Sequence, residues 1–414
     1  MLTSEKQHQR SIWIYLAVIA FAALAAGLSD AVYSNYFKDA YNVSALQRGL
    51  IEFPRELPGI IVVILISLFS SISNIRVAMM AQGLAVLGLS FLGFLTPPFA
   101  VMLVFLFINS LGGHLWYPLQ DSIGLSLIRD DGNAGRIIGR FKGVSTAFSL
   151  VAAMIVFAGF RLGWFSFTTP VKLVFVIAMF FLLITLILLG FLDRSIKKPE
   201  SAARDNLSQG KRFRFVFRKE YKYYYLLAIV FGVQKQIMFV YGPWVLIDLL
   251  DQKTDTMALL GMAGALVGIF FIPALGRWID RFGVKKMLYV DALSFIIVYL
   301  AYGTLSAGFS TGWLTRFGLP MFMAFGLFVI DRMSMQMGII RTLYLRSIAI
   351  SPADIAPTLT MAQSMDHIVA VLCATVGGVI WTVWGPQYIF FMAAAFSLIN
   401  FFVAVKVKVP SRTV

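Results

Sequence analysis

LVFVIAMFFLLITLILLGFL, residues 173–192, decides the fold. The stretch carries no charge, and as an α-helix rising 1.5 Å per residue it spans about 30 Å, the thickness of a bilayer's hydrocarbon core. Its apolar residues run in a block; they follow neither the 3.6-residue stripe nor the two-residue alternation of one-sided burial. Val62 to Phe69 and Met102 to Ile108 read the same way. In lipid every backbone polar group must find its partner within a helix or a closed barrel, and a barrel needs an alternation that is absent. The stretch is therefore a membrane-crossing helix.

The rest of the chain agrees. Of 414 residues 59% are hydrophobic and 13% charged, about half the charge of a soluble domain. Twelve spans are read: Ile12–Asn35, Gly49–Ser70, Val77–Leu95, Met102–Leu127, Gly143–Phe160, Leu173–Leu192, Tyr225–Leu249, Met257–Trp278, Met287–Leu305, Pro320–Tyr344, Thr360–Trp384 and Tyr388–Val405. Lys6 and Arg10 before an apolar run resemble a signal peptide, but the run is long and cleavage would leave an odd number of spans, so an uncleaved first helix is expected.

The formal charge of +15 raises the question of nucleic acid. With the N-terminus in the cytoplasm, Arg76, Arg136, Arg140, Lys142, Arg277, Arg281, Lys285, Lys286, Arg341, Arg346 and both basic termini share that side, while Lys38, Arg48, Arg161, Lys172, Lys253 and Arg316 fall opposite. This is the positive-inside bias of a plasma-membrane protein with both termini cytoplasmic. The basic loops lack a platform of stacking aromatics, so no nucleic-acid partner is expected. The single cysteine, Cys373, excludes disulfides within the chain.

One long polar stretch, 193–224, divides the chain into halves, 1–192 and 225–414, of six spans each. Its Lys211, Arg212, Arg214, Arg218, Lys219 and Lys222 make it a solvated cytoplasmic linker, or one that rests on anionic headgroups. The halves repeat faintly: each second span ends in a cation-bearing link, and each fourth span runs into a polar turn and a polar-headed fifth helix.

In the second half that link reads Gly276-Arg277-Trp278-Ile279-Asp280-Arg281-Phe282-Gly283-Val284-Lys285-Lys286. It resembles the loop signature of the major facilitator superfamily: glycine, then Asp-Arg, an aromatic, glycine and basic residues. Val284 stands where arginine is usual, and the first-half copy, Ser71 to Arg76, is degraded. The resemblance implies an all-α membrane protein of about twelve helices, working by alternating access around a site between the halves. It also implies that Asp280, aided by Arg281, latches one state by pairing with cations at helix ends; otherwise these charges mark the membrane boundary.

Charges left at membrane depth point to the interior of the bundle, because each costs roughly 2.5–3.5 kcal/mol at the centre of a spanning helix. They are Arg55, Lys235 and Arg332, with Asp30, Glu52, Glu56, Asp121, Asp331 and Asp366, and with His114 and His367 nearby. Glu52 and Glu56 lie one turn apart with Arg55 between, on a helix broken by Pro54 and Pro58; this is a gating or proton-carrying element, or a self-neutralising cluster. His114, Tyr117 and Asp121 follow helical spacing on one stripe, and Asp121 could pair with Arg136 or Arg140 near the cytoplasm. Lys235 and Arg332, with Gln236, Asp331, Gln336, His114, Tyr117 and Tyr241, are candidate solute contacts; alternatively Lys235 and Asp331 neutralise each other. Asp366 and His367 form a neighbourhood that can titrate near neutrality or a fixed hydrogen bond. Asp30, Glu52, Glu56, Asp366 and His367 are the candidate coupling groups; Arg55, Asp121, Arg136, Arg140, Gly276, Asp280, Arg281 and Gly283 are candidate gating residues.

No Walker loop, His-Glu-x-x-His or nucleophile elbow is present, so neither ATP hydrolysis, nor a metal, nor a cofactor is expected. The expectation is a monomeric secondary transporter of a polar, charged organic solute, with protons as the candidate coupling ion. A proton-driven exporter of drugs or lipids, a membrane enzyme using Asp366 and His367, and a non-transporting receptor are the alternatives.

Overall fold

The computed structural model describes residues 2–69, 71–127, 134–195 and 218–407. Among them all regular structure is helical. In chain order the helices are α1 (Leu2–Asp30), α2 (Tyr33–Tyr41), α3 (Ala45–Leu50), α4 (Glu52–Leu68), α5 (Asn74–Phe94), α6 (Phe99–Ser126), α7 (Ala134–Arg161) and α8 (Leu173–Ser195). There follow α9 (Lys222–Trp244), α10 (Thr254–Phe282), α11 (Val284–Thr311), α12 (Leu319–Gln336), α13 (Gly338–Ile348), α14 (Pro352–Val383) and α15 (Pro386–Lys406).

Ten described runs are long and apolar enough to cross a membrane. One of them, Thr254–Thr311, is two spans: Gly283, at φ +81°, ends α10 and starts α11. The remaining span is α4, which at 17 residues falls just short. The chain is thus a multi-pass integral membrane protein, and about twelve crossings accommodate every apolar run.

Three spans read as continuous are interrupted, each for a local reason. The first breaks after Asp30, where Val32 N–H reaches back only three residues to the Ser29 carbonyl. The second divides into α3 and α4 at Ile51, because Pro54 lacks the N–H that would bond to the Leu50 carbonyl. The tenth divides into α12 and α13 at Met337 through three-residue bonds, Met337 to Ser334 (3.1 Å) and Ile340 to Met337 (2.9 Å).

The described helices gather into two compact units, one of Met1–Tyr41 with Pro54–Arg212, the other of Asn42–Phe53 with Phe213–Val414. In the first, α1 packs on α7 and α8, and α5 on α6 and α8, around Tyr15, Ile19, Ala78, Leu119 and Leu189. In the second, α11 packs on α15, α9 on α14 and α15, and α12 on α10 and α11; Tyr221, Leu275, Leu288, Ile340 and Val403 sit in its core. Short α3, from early in the chain, packs on α14 of this second unit. The linker expected at 193–224 lies for the most part outside the described residues.

Candidate solute site

Each unit holds its own cluster of polar side chains. In the first, Asp30 ends α1 with its side chain accessible to solvent, next to Tyr33 and Tyr117, and its electrostatic partner is Arg55 of α4. The Arg55 guanidinium lies over the Tyr33 ring at 5.5 Å, within cation–π range. Tyr33 is itself buried and donates its hydroxyl hydrogen bond to Asn109 Oδ1 at 2.8 Å. Ser110 Oγ donates to the Arg55 carbonyl. His114 Nδ1 lies 2.9 Å from the Ser110 carbonyl oxygen, and its ring meets Tyr117 edge-on at 6.4 Å. Half-exposed Tyr117 completes the cluster. The sequence reading found Asp30, Arg55, His114 and Tyr117 but missed Asn109 and Ser110, whose signal was two adjacent polar residues inside an apolar span.

In the second unit Lys235 of α9 pairs with Asp366 Oδ2 of α14, both side chains partly exposed. The alternative pairing of Lys235 with Asp331 is therefore not the one adopted. The reason lies at Gly232, where a Cβ would sit 2.8 Å from Asp366 Oδ1; its absence lets α14 bring the carboxylate to the lysine. Arg332 packs its stem on Gly264 of α10 and turns its guanidinium over Phe328 at 4.7 Å. It is half-buried and makes no ion pair among the described residues. Asp331 is buried, Gln336 exposed and His367 half-buried on α14 beside Asp366.

Several expected roles are corrected. Glu52 is not paired with Arg55: it is fully buried, 2.5 Å from Arg48, and accepts from Gln236 Nε2 at 3.4 Å. Arg48 was read as a loop cation, yet it too is fully buried, because α3 tucks against α14. Tyr241 is buried to its hydroxyl, which donates to the Ala374 carbonyl, and its ring stacks on Trp381 at 5.8 Å. Gln236 and Tyr241 thus serve packing around α3. Glu56, by contrast, is half-buried in the first unit.

The gating residues fare unevenly. Asp121 pairs with Lys142 at 2.8 Å on the surface, not with Arg140, whose guanidinium lies over Trp13 at 5.5 Å. The side chain of Arg136 lies outside the described residues. Gly276, Asp280 and Arg281 are exposed at the end of α10; Arg281 covers Phe282 at 5.3 Å, and Asp280 makes no ion pair among the described residues. Asp291 of α11 and Arg341 of α13 were overlooked as a pair: both are buried, 2.6 Å apart, with the guanidinium 3.6 Å from the Phe231 ring centre.

Spans of this number, with ionisable side chains along the membrane-crossing helices of each unit, define a polytopic membrane protein. The sequence profile of the Major Facilitator Superfamily matches residues 15–352, and the chain belongs to that family. It is a secondary transporter of small solutes, not an enzyme. Among solved structures, a single-residue mutant of the nucleoside transporter NupG superposes with a TM-score of 0.76 at 14% identity, over 96% of this chain and 100% of that one. A D-xylose-proton symporter gives 0.67 at 15% identity over 95% and 96%. A POT family transporter in complex with 5-aminolevulinic acid gives 0.73 at 12% identity over 96% of each chain. At these identities the likeness is one of fold. Among curated proteins none matches the chain.

Proposed function

We propose that the chain moves a polar, charged organic solute across the membrane by alternating access, with protons as the coupling ion. The observation that carries this reading is Arg332: a half-buried guanidinium at the centre of a spanning helix, without an ion pair among the described residues. A permanent charge there is stable only beside water or a ligand, and its fork suits a carboxylate or phosphate. Lys235 adds a second cation whose carboxylate partner, Asp366, a solute anion can displace. An anion or zwitterion fits this balance better than a lipophilic cation does. The solved neighbours described as transporting nucleosides or xylose, or as binding 5-aminolevulinic acid, all concern polar solutes, the last a zwitterion, which supports a polar solute over a lipophilic one.

The test is a thermal-shift screen of anionic, zwitterionic and lipophilic metabolites on the purified protein, since a ligand of the native state raises the melting temperature. An anionic or zwitterionic hit that is lost in Arg332→Ala and Lys235→Ala, and that enters sealed vesicles carrying the wild type, is the expected result. Stabilisation by lipophilic cations alone, insensitive to both substitutions, would overturn the reading.

A further inference from the structure

Asp331, like Gln236 and Tyr241, is a candidate solute contact that a solute cannot reach in this conformation. Its side chain is 2% exposed, and its Oδ1 is buried without a hydrogen-bond partner. Of the charged groups around it one acts on it directly, Arg332 of its own helix, whose guanidinium lies over Phe328 and leaves Oδ1 without a hydrogen bond. The others are engaged elsewhere or uncharged at neutral pH. From α11 it is faced by Tyr299 and Tyr302, whose hydroxyls donate to the Gln234 and Gly242 carbonyls. Asp291 of α11 is held by Arg341 of α13. On α9, Lys235 is held by Asp366 of α14. From α10 comes Gly264, against the Arg332 stem, while the ionisable residues of that helix, Asp255, Arg277, Asp280 and Arg281, lie at its ends. An ionised carboxylate with a bare oxygen is the arrangement a protein interior tolerates least. A protonated one, whose O–H replaces the charge, is tolerated.

We infer that Asp331 is a proton-binding site, carrying its proton on the buried carboxyl in this conformation and exchanging it with water when α12 becomes hydrated. The step balances simply: the O–H bond breaks, the proton passes to water, and the electron pair stays on Oδ1 as a carboxylate. That carboxylate then lies beside Arg332 in sequence and weakens the hold of the guanidinium on a solute anion. Reprotonation restores the cation. The site thereby gives the transport reading its coupling group, and it departs from the sequence expectation, in which Asp331 touched solute and Asp30, Glu52, Glu56, Asp366 and His367 carried protons. The break at Met337 supplies a place for α12 to move while α13 stays anchored by Arg341.

Infrared difference spectroscopy on the full chain in lipid nanodiscs tests this without any solute, so it can fail or succeed independently of the transport reading. At neutral pH the wild type should show the carbonyl stretch of a protonated carboxyl group, shifted by deuterium oxide and by carbon-13 aspartate labelling, and bleached on a jump to alkaline pH. Asp331→Asn should lack that band while Asp366→Asn retains it. If Asp331→Asn does not fold, Asp331→Glu should move the band's isotope sensitivity from labelled aspartate to labelled glutamate. A band that survives Asp331→Asn, or that still follows labelled aspartate in Asp331→Glu, would overturn the inference, as would a wild type without the band.

Discussion

Arg48 and Glu52 sit one helical turn apart, 1% and 0% exposed and 2.5 Å from each other. Taking both out of water is expensive, and their attraction offsets that expense only while both are present. Removing one leaves the other charged and buried. Arg48→Met should therefore destabilise the protein by about 3–5 kcal/mol, and Glu52→Gln by a similar amount, while the double substitution should be milder than either. Thermal unfolding of the three variants in detergent checks this; additive losses would mean that the two side chains act separately. The same pair shows the limit of reading residues from sequence. Glu52 was legible as a charge with no place in lipid, but its partner was assigned to Arg55 by adjacency along an uninterrupted helix. The partner is instead Arg48, one turn back across the junction at Ile51, and nothing in the identity of Arg48 announces its burial. Asp291 and Arg341 were illegible for a related reason: they lie 50 positions apart, and each reads singly as a residue near a span end.

At the scale of elements, the spans themselves were legible because hydrophobicity over eighteen or more residues is a strong signal. Their interruptions were not, since a three-residue turn such as that at Met337 differs from a helix by one hydrogen bond. The docking of α3 on α14 was equally hidden, and it depends on glycine. At position 378 a Cβ would lie 2.9 Å from both the Ala45 carbonyl oxygen and the Leu46 Cα, closer than side chains approach backbone. A Cβ at position 49 would run into the Ala374 carbonyl. Gly378→Val should thus push α3 off α14, costing about 1–3 kcal/mol as overpacking does. Cys373, one position before Ala374 and only partly exposed, is a built-in reporter of that movement. Its reaction with a small maleimide should quicken in Gly378→Val relative to wild type. An unchanged rate with unchanged melting would show that the helices yield without separating.

Over the whole molecule, the alternation of spans makes a demand that no single helix makes. If α4 counts as a crossing and Thr254–Thr311 as two, the links after α7, α11 and α14 follow the fifth, ninth and eleventh crossings and must share one face. Each carries an exposed tryptophan, Trp164 at 66%, Trp313 at 72% and Trp384 at 64%. Amphipathic indole rings collect at the membrane–water interface, so three of them on one face form the belt expected of a correctly counted topology. Arg76 and Arg281 belong to the opposite face, which the positive-inside bias assigns to the cytoplasm. Replacing Cys373 by serine gives a cysteine-free background, into which Trp164→Cys, Trp313→Cys, Trp384→Cys, Arg76→Cys and Arg281→Cys can be placed one at a time. A membrane-impermeant maleimide added to intact cells should label the first three and spare the last two until the membrane is opened. Labelling split within the tryptophan set would mean that a crossing between α7 and α14 has been miscounted, whereas a miscount at the shortest span, α4, which precedes all five positions, would invert the whole pattern.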